Sequence, residues 1–293
     1  MKSKYQVILF YKFVQIDNPE LLRQEQHDLA SKLGLLGRLL IASEGINGTF
    51  EGDPDAIKAY MEAMHADPRF ADIAFKISEG NGSAFPKLKV KVRPEIVTLD
   101  PGREIDPTTQ TATELTADEL EKWYQNDEDF VVLDLRNDYE IKSGYFEKTV
   151  DPQLRNFRDL TDEKINQLAN DERIKGKKVL TVCTGGIRCE KATCLMNDNR
   201  FPELYQLKDG IHTYMEQYPN SHFKGTLFVF DNRSATDLGA GENREVVSQC
   251  KYCAEPTENY VNDDSHKPSL KILCCDDCYE ERKDSLRAYT ECV

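Results

Sequence analysis

The run Val179-Leu180-Thr181-Val182-Cys183-Thr184-Gly185-Gly186-Ile187-Arg188 constrains the fold of this chain more than any other stretch. An apolar segment ends in a cysteine, a glycine pair supplies a tight turn, and Cys189-Glu190-Lys191-Ala192 reads as the start of a helix. A buried strand that passes through a glycine turn into a helix belongs to an α/β layer with a parallel sheet. Backbone N–H groups of the turn and the helix N-terminus then converge on the cysteine, an arrangement that stabilises a thiolate. Arg188 adds a cation, and the segment Cys183, Thr184, Gly185, Gly186, Ile187, Arg188 is the candidate active loop. The plain alternative for Cys183 is a buried structural thiol.

The loop length discriminates between chemistries. A Cys-x5-Arg phosphatase loop needs arginine at position 189, where this chain has Cys189; Arg188 makes the ring one residue shorter. The shorter ring suits sulfur carried on the cysteine better than a bound phosphate. Cys189 is placed to resolve an oxidised Cys183 or simply to pack as a small side chain, and Cys194 fits a helix core position.

The surrounding sequence extends the same pattern. Thr116 and Glu119 form a capping box for a helix through Trp123, and Phe130-Val131-Val132-Leu133-Asp134 is a second continuous apolar strand. Residues 114–232 are therefore expected to form an α/β domain. The Pro- and Thr-containing stretch 99–113 reads as a linker. Asp134 and Arg136 either orient the cysteine loop or form a structural ion pair.

Residues 1–98 alternate strand and helix signals on their own. Tyr5–Phe13 is an apolar strand. Asn18-Pro19 opens a helix with Leu21, Leu22, Leu29 and Leu33 on its apolar face. Gly37–Ile41 and Gly48–Glu51 are strands around the turn Glu44-Gly45-Ile46-Asn47, which serves either as a hairpin connection or as part of a site. Asp53 caps a second helix that begins at Pro54 and buries Ile57, Tyr60, Met61 and Met64. Strands at Ile73–Ile77 and Leu88–Arg93 complete a split βαβ, ferredoxin-like α+β order.

Charge and cysteine placement assign different tasks to different parts of the chain. The net charge of -14 excludes a protein that coats nucleic acid indiscriminately, yet residues 1–98 hold 13 Lys and Arg against 13 Asp and Glu and are neutral. Lys87, Lys89, Lys91 and Arg93 recur at period two, so a strand projects all four cations from one face while Leu88, Val90 and Val92 turn to the core. That stripe either contacts phosphates or guards an edge strand against aggregation. The first apolar stretch, Val7–Tyr11, is too short for a membrane or signal segment. Nine cysteines without such a segment point to a reducing cytoplasm.

Six of the nine cysteines lie in the acidic tail from residue 233 to residue 293. Cys250-x2-Cys253 and Cys275-x2-Cys278, 21 residues apart, can supply four thiolates to a tetrahedral structural zinc, with Cys274 as an alternative ligand. Free thiols or a disordered tail are the alternative, and Cys292 is expected to stay uninvolved.

Two resemblances follow from these motifs. Asp134-Leu135-Arg136-Asn137 with Glu140 and Gly144-Tyr145-Phe146, the Cys183–Arg188 loop, and Leu207-Lys208-Asp209-Gly210-Ile211 resemble the rhodanese family across roughly residues 115–225. The resemblance implies that Cys183 carries a persulfide. Gly37–Thr49 and Leu88–Val97, with the loop and the cysteine-rich tail, resemble the rhodanese-domain tRNA uridine hydroxylases over most of the chain. That resemblance implies oxygen-dependent conversion of a tRNA wobble uridine to 5-hydroxyuridine, with tRNA as partner, molecular oxygen as co-substrate and an unidentified electron or sulfur donor. No haem, flavin or facial-triad signature is apparent, so no organic cofactor is expected. A thiosulfate or persulfide sulfurtransferase and a non-catalytic sulfur-carrying or interaction module are the alternative functions.

Overall fold

The computed structural model describes residues 4–99, 102, 105–198, 200–238, 241 and 245–289. The chain forms two compact units that divide between Thr98 and Leu99.

In the first unit the order is β1 (Tyr5–Phe13), α1 (Pro19–Lys32), β2 (Leu36–Ala42), β3 (Gly45–Gly52), α2 (Pro54–Ala66), β4 (Phe75–Gly80) and β5 (Leu88–Val92). The sheet runs β4-β1-β3-β2-β5. Its first four strands are antiparallel and have the ferredoxin-like order; β5 is added in parallel to the free side of β2. One face of the sheet buries Ile8, Phe10, Leu39, Ile41 and Phe50 under the two helices, where Ile57, Tyr60 and Met64 of α2 meet them. The buried Tyr60 hydroxyl donates to Gln26 of α1 at 2.6 Å, so these two buried polar groups satisfy each other.

Several boundaries differ from the sequence expectation, each for a local reason. Leu21 lies on the exposed face of α1, and Gln26 and Ala30 share the buried face with Leu22. Strand β3 starts at Gly45, so Ile46 and Asn47 are paired residues and the connection is only Ser43-Glu44. Gly45 adopts φ +146°, and a Cβ there would lie 2.0 Å from the Lys12 carbonyl oxygen, which reserves the position for glycine. Strand β4 starts at Phe75, because Ile73 closes the turn after α2 through its N–H to Phe70.

The second unit contains β6 (Thr113–Leu115), α3 (Ala117–Gln125), β7 (Phe130–Asp134), α4 (Asp138–Ile141), β8 (Gly144–Phe146), β9 (Thr149–Val150), α5 (Asp162–Ala169), β10 (Lys178–Val182), α6 (Ile187–Met196), β11 (Leu204–Leu207) and α7 (Gly210–Gln217). Five parallel strands run in the order β6-β11-β10-β7-β9. Strand β10 is central and β7 is its neighbour, with Val182 beside Asp134. Both are buried along almost their whole length, as continuous apolar runs in a parallel sheet require. The Thr116 hydroxyl and the Glu119 carboxylate form the expected capping box on α3.

The chain continues through β12 (Phe223–Gly225), paired with β8, and the short hairpin β13 (Leu227–Phe228) and β14 (Ala235–Thr236). The cysteine-rich segment is a folded element. It consists of β15 (Tyr260–Asp263), β16 (Leu270–Leu273), α8 (Asp276–Arg282) and β17 (Leu286–Ala288), with β15 between the other two strands. Cys292 lies outside the described residues.

Candidate active site and metal centre

Cys183 stands at the C-terminal end of the central strand β10 and is fully buried. Three neighbours hold the loop that follows. The N–H of Ile211 donates to the Cys183 carbonyl and that of His212 to the Thr184 carbonyl, both at 3.0 Å, while Leu135 N–H donates to Val182 at 2.9 Å. Gly186, the N-cap of α6, turns its N–H onto the Cys183 sulfur at 3.2 Å and adopts φ +103°, a conformation that disfavours any side chain. Gly210 is equally constrained: at φ +71° a Cβ would sit 2.6 Å from the Cys183 carbonyl oxygen and 2.7 Å from the Gly186 nitrogen.

Arg188 is held by a residue outside the loop. Its guanidinium makes a two-pronged ion pair with Glu140 of α4, at 2.7 and 2.9 Å, and reaches the Thr184 hydroxyl at 3.2 Å. Glu140 also accepts the Asn137 backbone N–H at 2.9 Å, so the start of α4 and the start of α6 share one carboxylate. Burial by itself opposes the charge on Arg188, but Glu140 more than offsets it and holds the arginine protonated.

Burial also opposes ionisation of Cys183. Against it act a hydrogen bond from the Cys189 thiol, the charge of Arg188, and the backbone N–H groups of Cys189 and Arg188; together they leave Cys183 more acidic than an ordinary thiol. Burial and the neighbouring Cys183 sulfur push the fully buried Cys189 the other way. Of the two sulfurs, Cys183 is therefore the more acidic. Cys194 is only half-buried and donates its S–H to the Glu190 carbonyl at 3.1 Å.

Asp134 and Arg136 form a buried pair at 2.6 Å. Arg136 also donates to the Gly144 carbonyl at 2.7 Å, which fixes the turn carrying Glu140. The contact with the loop is thus indirect. Sequence reasoning left Glu140 and Gly210 out of the site. The Asn137-x2-Glu140 capping spacing was the available signal for the first, and a glycine opening a helix after a strand was the signal for the second.

In the first unit Lys87, Lys91 and Arg93 are exposed and Lys89 is half-buried; Val90 between them is buried. Strand β5 spans only Leu88–Val92, so Lys87 and Arg93 flank it, and it is the edge of its sheet. The Glu44-to-Asn47 motif has a structural use. Glu44 accepts the Ile96 N–H at 2.8 Å and Asn47 donates to the Ile96 carbonyl at 2.9 Å, which latches the segment after β5.

The sulfurs of Cys250, Cys253, Cys275 and Cys278 lie within 4.8 Å of one another. Four thiolates around zinc stand about 3.8 Å apart at a Zn–S distance of ~2.3 Å, so the cluster has the size of a tetrahedral site. All four are free cysteines. Backbone N–H groups of Cys275, Cys253 and Tyr252 point at the Cys250 sulfur, the outer-shell support that metal-bound thiolates receive. The group can bind a metal. Cys274 is outside it and directs its S–H to the Cys275 carbonyl at 3.5 Å.

Comparison with known proteins places these features in a family. Residues 5–96 match the UPF0176 acylphosphatase like domain, and residues 224–293 match the Rhodanase C-terminal domain. A protein of Cytophaga hutchinsonii named tRNA uridine(34) hydroxylase is 39% identical over 288 residues, 98% of this chain and 90% of the relative. One of the same name from Bacillus licheniformis is 40% identical over 94% of this chain and 85% of its own length. The chain belongs to the tRNA uridine(34) hydroxylase family. In this tRNA uridine(34) hydroxylase family member, Cys183 is a buried cysteine on a loop whose backbone N–H of Gly186 points at its sulfur. Among the described residues no helix is long and apolar enough to cross a membrane.

Proposed function

We propose that this chain hydroxylates uridine 34 of tRNA, and that Cys183 is the reacting group. The observation that carries the reading is the combination of near-full-length identity to proteins of that name with the Cys183 loop, whose donors and cation stabilise a sulfur anion. The product is 5-hydroxyuridine, molecular oxygen is the co-substrate, and an electron or sulfur donor completes turnover in the cytoplasm.

The chain's own residues have distinct parts in this reading. Cys183 presents a thiolate, or a persulfide built on it, to the base. Gly186 and the first N–H groups of α6 hold the negative charge, and Arg188 balances it. Glu140 positions Arg188, while Asp134 and Arg136 position Glu140. Lys87, Lys89, Lys91 and Arg93 contact tRNA phosphates. Cys250, Cys253, Cys275 and Cys278 hold a zinc ion, which supplies cross-linking of the fold and leaves the chemistry to the loop.

Nucleoside mass spectrometry of tRNA from a strain lacking the protein tests the reading. The 5-hydroxyuridine content should fall, recover with the intact gene and stay low with Cys183→Ala. Unchanged nucleoside content would overturn the hydroxylase reading. Efficient thiosulfate:cyanide turnover by a protein without tRNA affinity would replace it with a sulfurtransferase.

A further inference from the structure

We infer that the four-thiolate site braces the Cys183 loop, and that Tyr260 and Lys271 are the positioning residues through which it acts. The inference rests on the reading of Cys250, Cys253, Cys275 and Cys278 as a zinc site.

The cysteines bracket the sheet that carries both residues. Cys253 precedes β15, which opens with Tyr260, and Cys275 follows β16, which contains Lys271. Backbone bonds join the same ends. Lys251 N–H donates to the Leu273 carbonyl and Cys274 N–H to the Asn259 carbonyl, each at 2.9 Å. Of the five buried residues in this small core, Cys250, Val261, Cys274, Cys278 and Leu286, three are cysteines and two of those belong to the site. So small an apolar core gives little stability alone, and a metal that links both cysteine pairs would supply what it lacks.

Two contacts run from that sheet to the residues that flank Glu140 and Arg188. The Tyr260 hydroxyl donates to the Tyr139 carbonyl at 2.5 Å. The Lys271 ammonium lies 5.1 Å from the Tyr139 ring centroid, 5.5 Å from Phe228 and 5.3 Å from Phe230. Phe230 in turn carries the Arg188 guanidinium 5.8 Å from its ring centroid. Tyr139 is the residue before Glu140, and Glu140 holds Arg188. Helix α4, which contains both, is four residues long. A single turn has no helical stability of its own and leaves its carbonyls to be satisfied from outside. Tyr260 satisfies one of them, and Lys271 fixes the aromatic rings on either side. A shift of this sheet therefore moves Glu140, then Arg188, and the charge that holds the Cys183 thiolate.

The test uses the full-length protein and follows alkylation of Cys183 by iodoacetamide, peptide by peptide, as a function of pH. Zinc content is measured on every sample. Removal of zinc by a chelator should slow Cys183 alkylation roughly tenfold near neutral pH and move its profile to higher pH, with recovery on adding zinc. Tyr260→Phe keeps the ring and the zinc but should slow alkylation roughly threefold. Lys271→Met should act likewise and Lys271→Arg should restore the rate. If the untreated protein holds one zinc and the Cys183 profile is unchanged both by stripping that zinc and by Tyr260→Phe, the brace is overturned and the metal assignment stands. A protein that takes up no zinc overturns the metal assignment and the brace with it.

Discussion

At the scale of single residues, the proposed chemistry rests on a charge balance among Glu140, Arg188 and Cys183. The thiolate is the reactive form, so a thiol more acidic than usual reaches its full reactivity at lower pH. Removing the arginine charge removes a cause of that acidity. Arg188→Met should therefore move the Cys183 alkylation profile to higher pH, with a roughly tenfold slower rate near neutrality. Glu140→Gln leaves a buried guanidinium without its counter-charge and should cost about 3 kcal/mol of stability, read as a lowered denaturant midpoint. The double variant Glu140→Gln/Arg188→Met removes both buried charges. It should regain much of that stability while Cys183 stays sluggish, a separation that a purely structural ion pair would not show.

At the scale of elements, the loop is shaped by what abuts it as much as by its own residues. The start of α7 presses on the loop at Gly210, where any side chain would collide with the backbone of Cys183 and Gly186. Gly210→Ala should cost at least about 2 kcal/mol from strain and overlap, and the loop should lose its grip on the sulfur. Thermal melting and Cys183 alkylation measured together check this; a wild-type melting temperature would contradict it. Strand β5 offers the complementary case. Its alternation was legible from Leu88 to Arg93, but its place at the sheet edge was only one of two readings, because edge position depends on which strands pair. If the stripe contacts tRNA, Lys89→Glu with Lys91→Glu should weaken binding and reduce the magnitude of the slope of log affinity against log salt by roughly two. An unchanged slope would assign the lysines to edge protection.

At the scale of the whole molecule, the division between Thr98 and Leu99 separates a βαββαββ unit with its own apolar core from the unit that holds Cys183. A fragment of residues 1–98 should therefore fold alone and melt cooperatively by circular dichroism; a non-cooperative, unstructured fragment would contradict this. The sequence by itself determined the elements whose information is local. These include the helices begun by Pro19, Pro54 and Ala117 with their caps, the apolar strands β7 and β10, the cysteine–glycine turn, and the pairing of two Cys-x2-Cys motifs. Each of these is encoded in a few consecutive residues by periodicity, capping or backbone freedom. Only the tertiary structure decided which distant groups meet. It placed Glu140 against Arg188 from 48 residues away, Gly210 under the loop, Cys275 rather than Cys274 with the other thiols, and Tyr260 on the turn that carries Glu140. Such contacts arise from packing between elements, where many residues of the same type compete for a partner and only the assembled core selects one.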